Sequence, residues 1–206
     1  MDVETSIRGI LRGFGLKVGA ISRGKFEARI RELVAGQATL ECIAEPLLRA
    51  RASLGTECAT LHRELLRIVR NDEVCDRLMT IPGVGAVVAM TFRSAIDQPE
   101  RFAKSKAVGA HFGLTPRKYQ SGAIDRTGRI TKHGDAMVRT ALFEAANVML
   151  TRAVRFSGLK AWALRVATRQ GMKKAKVALA RKLAVVMHRM WVDGTTFRWG
   201  KVTVGA

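Results

Sequence analysis

Residues 74–96 read VCDRLMTIPGVGAVVAMTFRSAI, two apolar-rich segments joined by a Pro-Gly turn. The pattern predicts a helix ending at Met79 and a second helix opening with GAVVAMTFRSAI. Between them, Ile81, Pro82, Gly83, Val84 and Gly85 have the apolar-Pro-Gly-apolar-Gly form of a helix-hairpin-helix element. Glycine lets the backbone turn tightly there, and the N–H groups of Gly83 and Gly85 are candidates for a phosphate at the start of the second helix. Such contacts position nucleic acid without reading its sequence. An ordinary tight turn between packed helices satisfies the same pattern.

Helical periodicity continues on both sides of this segment. Upstream, Ile7, Ile10, Leu11 and Phe14 share one helical face, and residues 25–45 predict a helix carrying Phe26, Ile30, Leu33 and Val34. Pro46 is expected to interrupt or kink that run. From Leu47 to about Val74, Leu54, Cys58, Leu61, Leu65, Ile68 and Cys75 recur at heptad-like steps. This fits either a dimerising coiled-coil arm or a helix packed on its own domain. Downstream, residues 97–113 read as one further helix. Asp135 is placed to cap a long apolar-faced helix through Met149, and two more helices follow. The last has Lys173, Lys174, Lys176, Arg181 and Lys182 near its start, against the helix dipole. Cations in that position suggest selection for a polyanion.

The fold class expected is therefore all-α: a helical arm over residues 1–75, then a compact helical domain over 76–206. Within that domain, residues 115–135, TPRKYQSGAIDRTGRITKHGD, read as a basic loop holding the only tyrosine of the chain, Tyr119, and Ser121.

Charge sets the functional class. Residues 1–100 hold 14 Lys and Arg against 13 Asp and Glu, whereas residues 101–206 hold 22 against 4, which gives +1 and +18 of the net +19. Such asymmetry points to a polyanionic partner, nucleic acid above all, met by the second half. No run of 18 apolar residues or signal-peptide core is present, so a cytoplasmic protein without a membrane span is expected. Cys42, Cys58 and Cys75 match neither a disulfide framework nor a zinc pattern, and are expected as small buried hydrophobes. The four histidines are scattered, no metal-ligand cluster appears, and GVGAVVA lacks the Lys-Ser/Thr end of a phosphate loop.

The stretch from Ile81 to Ala146, with GLTPRKYQSG and GRITKHGD within it, resembles the C-terminal domain of bacterial insertion-sequence transposases of the "IS one-ten" group. The resemblance is specific over residues 78–150 and looser outside. Those enzymes join an RNase H-like domain with four acidic residues to a helical arm and a serine-bearing C-terminal domain, and are recombinases guided by a structured RNA. The resemblance implies Ser121 as nucleophile, with DNA, a guide RNA and a homo-oligomer as partners. Magnesium would enter only through the acidic domain, with no metal ligand in this chain. The sequence reads as the arm and C-terminal domain of such an enzyme without its acidic domain.

Attack on a DNA phosphate needs an exposed hydroxyl, positive charge and a backbone free to approach the strand. Gly122 supplies the freedom, and Arg117, Lys118, Arg126, Arg129 and Lys132 the charge. Tyr119 is a rival nucleophile or a stacking residue. A non-catalytic nucleic-acid-binding fragment and an oligomerisation module are the alternative readings.

Overall fold

The computed structural model describes residues 2–121, 124–152 and 155–200. The chain divides into two compact units, Met1–Glu64 and Leu65–Ala206.

The first unit is built from helices whose apolar residues fall four apart. Helix α1 (Val3–Gly13) starts at Asp2, whose carboxylate accepts from the Glu4 N–H at 3.1 Å. Helix α2 spans Phe26–Val34, and α3 spans Ala38–Arg70. Ile7 and Leu11 from α1, Phe26, Ile30 and Val34 from α2, and Leu40, Ala44 and Leu48 from α3 form one buried cluster. The guanidinium groups of Arg8 and Arg51 each lie 5.1 Å from the Phe26 ring centre, and Arg51 also pairs with Glu4 at 2.8 Å. Arg31 bridges Glu27 at 2.8 Å and Glu45 at 2.7 Å. Its hydrogen bond holds the Glu45 carboxyl below the usual carboxylate range.

The expected break at Pro46 falls elsewhere. The 25–45 helix ends at Val34, and Gly36 (φ +77°) turns the chain, its N–H capped by the Glu41 carboxylate at 2.9 Å. Pro46 lies inside α3, exposed, where loss of one backbone bond is tolerated. Of the heptad positions beyond it, Leu54, Leu61 and Ile68 are 55%, 69% and 50% exposed, whereas Leu65 is half-buried. Cys42 and Cys58 are exposed too, contrary to the expectation for cysteine; only Cys75 is buried. Burial, followed by the nearby Asp72 carboxylate, pushes the Cys75 thiol up to about 12.

The second unit packs α4 (Glu73–Met79), α5 (Ala86–Ile96), α6 (Val108–His111), α7 (Ala136–Thr151) and α8 (Gly158–Gln170) around α9 (Met172–Asp193). Alanines make close approach possible: Ala141, Ala145 and Ala146 of α7, and Ala175, Ala180 and Ala184 of α9, are buried among Leu142, Met149, Leu179, Leu183 and Met187. Helices α4 and α5 are joined by a turn in which the Val84 N–H donates to the Ile81 carbonyl at 3.0 Å. Pro82 takes the second position, and Gly83, at φ +86°, takes the third, which needs a left-handed residue.

Two segments depart from the all-helical expectation. Residues 97–113 form two single 3-10 turns, Pro99–Arg101 and Ser105–Ala107, and then the one-turn α6. Phe102 and Lys104 between them are extended, so Pro99 starts a turn that the chain does not continue. The basic loop is an antiparallel β-hairpin of β1 (Pro116–Ser121) and β2 (Ile124–Ile130). The fold is mostly helical with this small sheet. No helix among the described residues is long and apolar enough to cross a membrane.

Candidate nucleic-acid interface and serine site

The hairpin is fixed at its root by backbone packed on backbone. The Thr131 N–H donates to the Thr115 carbonyl at 2.9 Å, and that of Lys132 to Gly113 at 3.0 Å. A Cβ at Gly113 would collide with the His133 backbone, and one at Gly134 with the His111 carbonyl. Arg139, from the first turns of α7, clamps this crossing. Its Nη1 donates to the carbonyls of Gly134 (2.8 Å), His133 (2.9 Å) and Phe112 (3.3 Å). Lys132 is held at φ +59° beside the clamp, a conformation costing a non-glycine residue about 1 kcal/mol.

Above the root the hairpin leaves the core. Every residue of β1 is exposed, which explains why no apolar alternation marks it. Tyr119 pairs with Arg126, Gln120 with Asp125 and Ser121 with Ile124. Because side chains alternate along a strand, Arg117, Tyr119 and Ser121 share one face, and the cross-strand pairing puts Arg126 beside Tyr119 on it. Lys118 projects from the opposite face, where its Nζ meets the Asp125 carboxylate at 3.5 Å. Between Pro116 and Lys118 the register shifts, with Gly128 and Arg129 of β2 standing opposite the single residue Arg117. The Tyr119 ring lies across Gly128, where an added Cβ would come within 2.8 Å of its Cε2.

Ser121 ends β1, exposed, and its hydroxyl has no hydrogen-bond partner among the described residues. Gly122 lies outside the described residues. The structure thus gathers Arg117, Lys118, Tyr119, Ser121, Arg126 and Arg129 on one hairpin, with Lys132 at its root. The remaining candidates stand on other elements. Gly83 packs against α7, where a Cβ would lie 2.6 Å from the Ala145 carbonyl oxygen. Gly85 is exposed at the start of α5 and meets nothing within 4 Å. Lys173 and Lys174 are exposed and Lys176 half-buried in the first turns of α9.

Magnesium needs several oxygen ligands. No three His, Cys, Asp or Glu side chains gather among the described residues, and Asp125, the carboxylate on the hairpin, is tied to Lys118. The described residues therefore do not fit a magnesium site by themselves.

Arg139 and Gly128 escape a reading by motif. The signal for Arg139 is a cation in the first turns of a helix, where the dipole disfavours it. Three carbonyl acceptors account for the placement.

Residues 75–164 match the family model described as Transposase IS116/IS110/IS902 family, so the hairpin and Ser121 lie inside the matched segment. The chain is 28% identical over 204 residues to the transposase for insertion sequence element IS1111A of Coxiella burnetii, covering 94% of this chain and 55% of that protein. It is 33% identical over 138 residues to the transposase for insertion sequence element IS1328 of Yersinia enterocolitica, covering 66% and 41%. The chain spans about half the length of the curated relatives it matches.

Proposed function

We propose that the chain acts in DNA transposition as the serine-bearing part of an insertion-sequence transposase of the "IS one-ten" group, a cytoplasmic recombinase. The observation that carries this reading is the position of Ser121. It is an exposed hydroxyl at the end of a strand, sharing a face with Arg117, Tyr119 and Arg126, inside the segment matching transposases.

In the proposed step Ser121 Oγ attacks a DNA phosphorus. A serine–phosphate ester forms, one P–O bond to deoxyribose breaks, and the freed strand end leaves as a hydroxyl. The serine proton passes to a carboxylate of the acidic domain, and the leaving oxygen takes up a proton. One phosphodiester replaces another, so no energy source is consumed. Arg117 and Arg126 stabilise charge on the phosphate in the transition state. The Tyr119 ring serves as a stacking surface for a base near the cut. Gly83, Gly85 and the cations at the start of α9 would hold more distant backbone of DNA or a guide RNA. The exposed positions Leu54, Leu61 and Ile68 would pair α3 with a second copy.

The test is covalent trapping on nicked donor DNA, with the acidic domain of a relative supplied in trans. A DNA adduct mapped by peptide mass to Ser121, and lost in Ser121→Ala with DNA binding intact, is expected. An adduct on Tyr119 would overturn the assignment. Binding without any adduct would leave a nucleic-acid-binding role without chemistry.

A further inference from the structure

Away from the hairpin, the second unit carries a groove of about 910 Å³ between the Ser105–Ala107 turn, the start of α8, the end of α9 and the segment that follows. Its apolar lining includes Phe102, Leu159, Trp162, Val186, Phe197 and Trp199. Five cations, Lys104, Lys106, Lys182, Arg189 and Arg198, line it with them, against one carboxylate, Asp193. Arg189 holds that carboxylate at 2.6 Å. The other four cations have no ion-pair partner among the described residues. Lys182 Nζ lies 4.5 Å from the Trp162 ring centre, and the Arg155 guanidinium 4.4 Å from that of Trp199.

The wall bearing Lys104 and Lys106 is braced from beneath. His188 is buried, with Nε2 at 3.0 Å from the Pro99 carbonyl and Nδ1 at 2.9 Å from the Ser105 hydroxyl. A carbonyl only accepts, so Nε2 carries the proton and the Ser105 hydroxyl donates to Nδ1. This ties the turn carrying both lysines to α9.

We propose that this groove binds single-stranded DNA, with an unpaired base against the indoles of Trp162 or Trp199 and its flanking phosphates on Lys104, Lys106 and Lys182. An aromatic surface inside a cationic border suits a ligand that is flat and apolar at its centre and anionic at its edge. A duplex keeps its base faces stacked and cannot offer one, whereas a strand opened for cutting can. The proposal rests on the reading of the second half as a DNA-handling unit.

Trp191 does not line the groove, so the full chain carrying Trp191→Phe reports emission from Trp162 and Trp199 alone. Titration with a twelve-residue oligothymidylate is expected to quench that emission. Lys104 and Lys106 are exposed, so Lys104→Gln with Lys106→Gln leaves the core intact. This pair is expected to weaken quenching about tenfold and flatten its salt slope by about 1.4. Arg126→Ala with Arg129→Ala should lower duplex binding, read by anisotropy, and leave the quench unchanged. Duplex binding without a quench, or a quench indifferent to the lysine pair, overturns the groove and spares the transposase reading. Failure of both ligands to bind overturns the two together. An equal or stronger quench by oligouridylate overturns the assignment to DNA.

Discussion

Cations in the two halves of the molecule are neutralised differently. In the first unit Arg29, Arg31 and Arg51 have carboxylate partners within 2.8 Å, and residues 1–100 are nearly neutral. In residues 101–206, the ion pairs among the described residues are Lys118–Asp125 and Arg189–Asp193, although 22 Lys and Arg stand there against 4 acids. The first half closes its electrostatics within the chain. The second leaves most of its positive charge unpaired among the described residues.

The largest expected effect is on binding. Replacing Arg117, Arg126 and Arg129 together by alanine should flatten the logarithmic salt dependence of duplex affinity by about 2.7, from about 0.9 per phosphate contact. The matched change in the first unit, Arg29→Ala with Arg31→Ala, should leave that slope unchanged; an equal drop would erase the contrast between the halves. Arg139→Ala comes next. Loss of a charged donor to three carbonyls should cost about 2 kcal/mol in denaturant unfolding and expose the hairpin root to proteolysis. Cysteine reactivity separates the two units kinetically: iodoacetamide at mildly alkaline pH should label Cys42 and Cys58 of the first at once, and Cys75 of the second, buried with its thiol pushed up to about 12, only on unfolding. The smallest effect concerns Glu45, whose folded carboxyl lies below its unfolded value because of Arg31. Its contribution is present above the unfolded value and lost as pH falls through the folded one. Both side chains are exposed, so Glu45→Gln should lessen acid destabilisation only slightly.

Helices were readable in the sequence wherever one face was buried. The four-residue steps of Ile7–Leu11 and Phe26–Ile30–Val34, and the Asp135 cap of α7, each appear in the fold. The hairpin was not, because strand alternation is visible only when one face is apolar, and β1 buries neither face. Its Arg, Lys and Gly content resembles that of a loop, and only the β-branched residues of β2, Ile124, Thr127 and Ile130, hinted at pairing. Residues 97–113 misled for the opposite reason: apolar Phe102, Val108 and Phe112 suggest a helix, while the backbone is extended at Gln98, Phe102 and Lys104. Ser121 became a candidate through the family resemblance, and its basic surroundings were legible in the residues. Its support was not, since the acceptors of Arg139 are backbone carbonyls that no side-chain pattern announces.

The knot of Gly113, Gly134 and Arg139 makes the hairpin a cantilever, built in at one end and exposed along β1. The two ends then face different constraints. A change at the root tilts the whole beam, displacing Ser121 by leverage from five or more residues away. Substitution of side chains along the span alters what the beam touches without altering where it points. Redesign of the proposed DNA contacts therefore belongs on Arg126 and Arg129, with the root, where Arg117 Nη2 donates to the Thr131 carbonyl at 3.3 Å, left as it is.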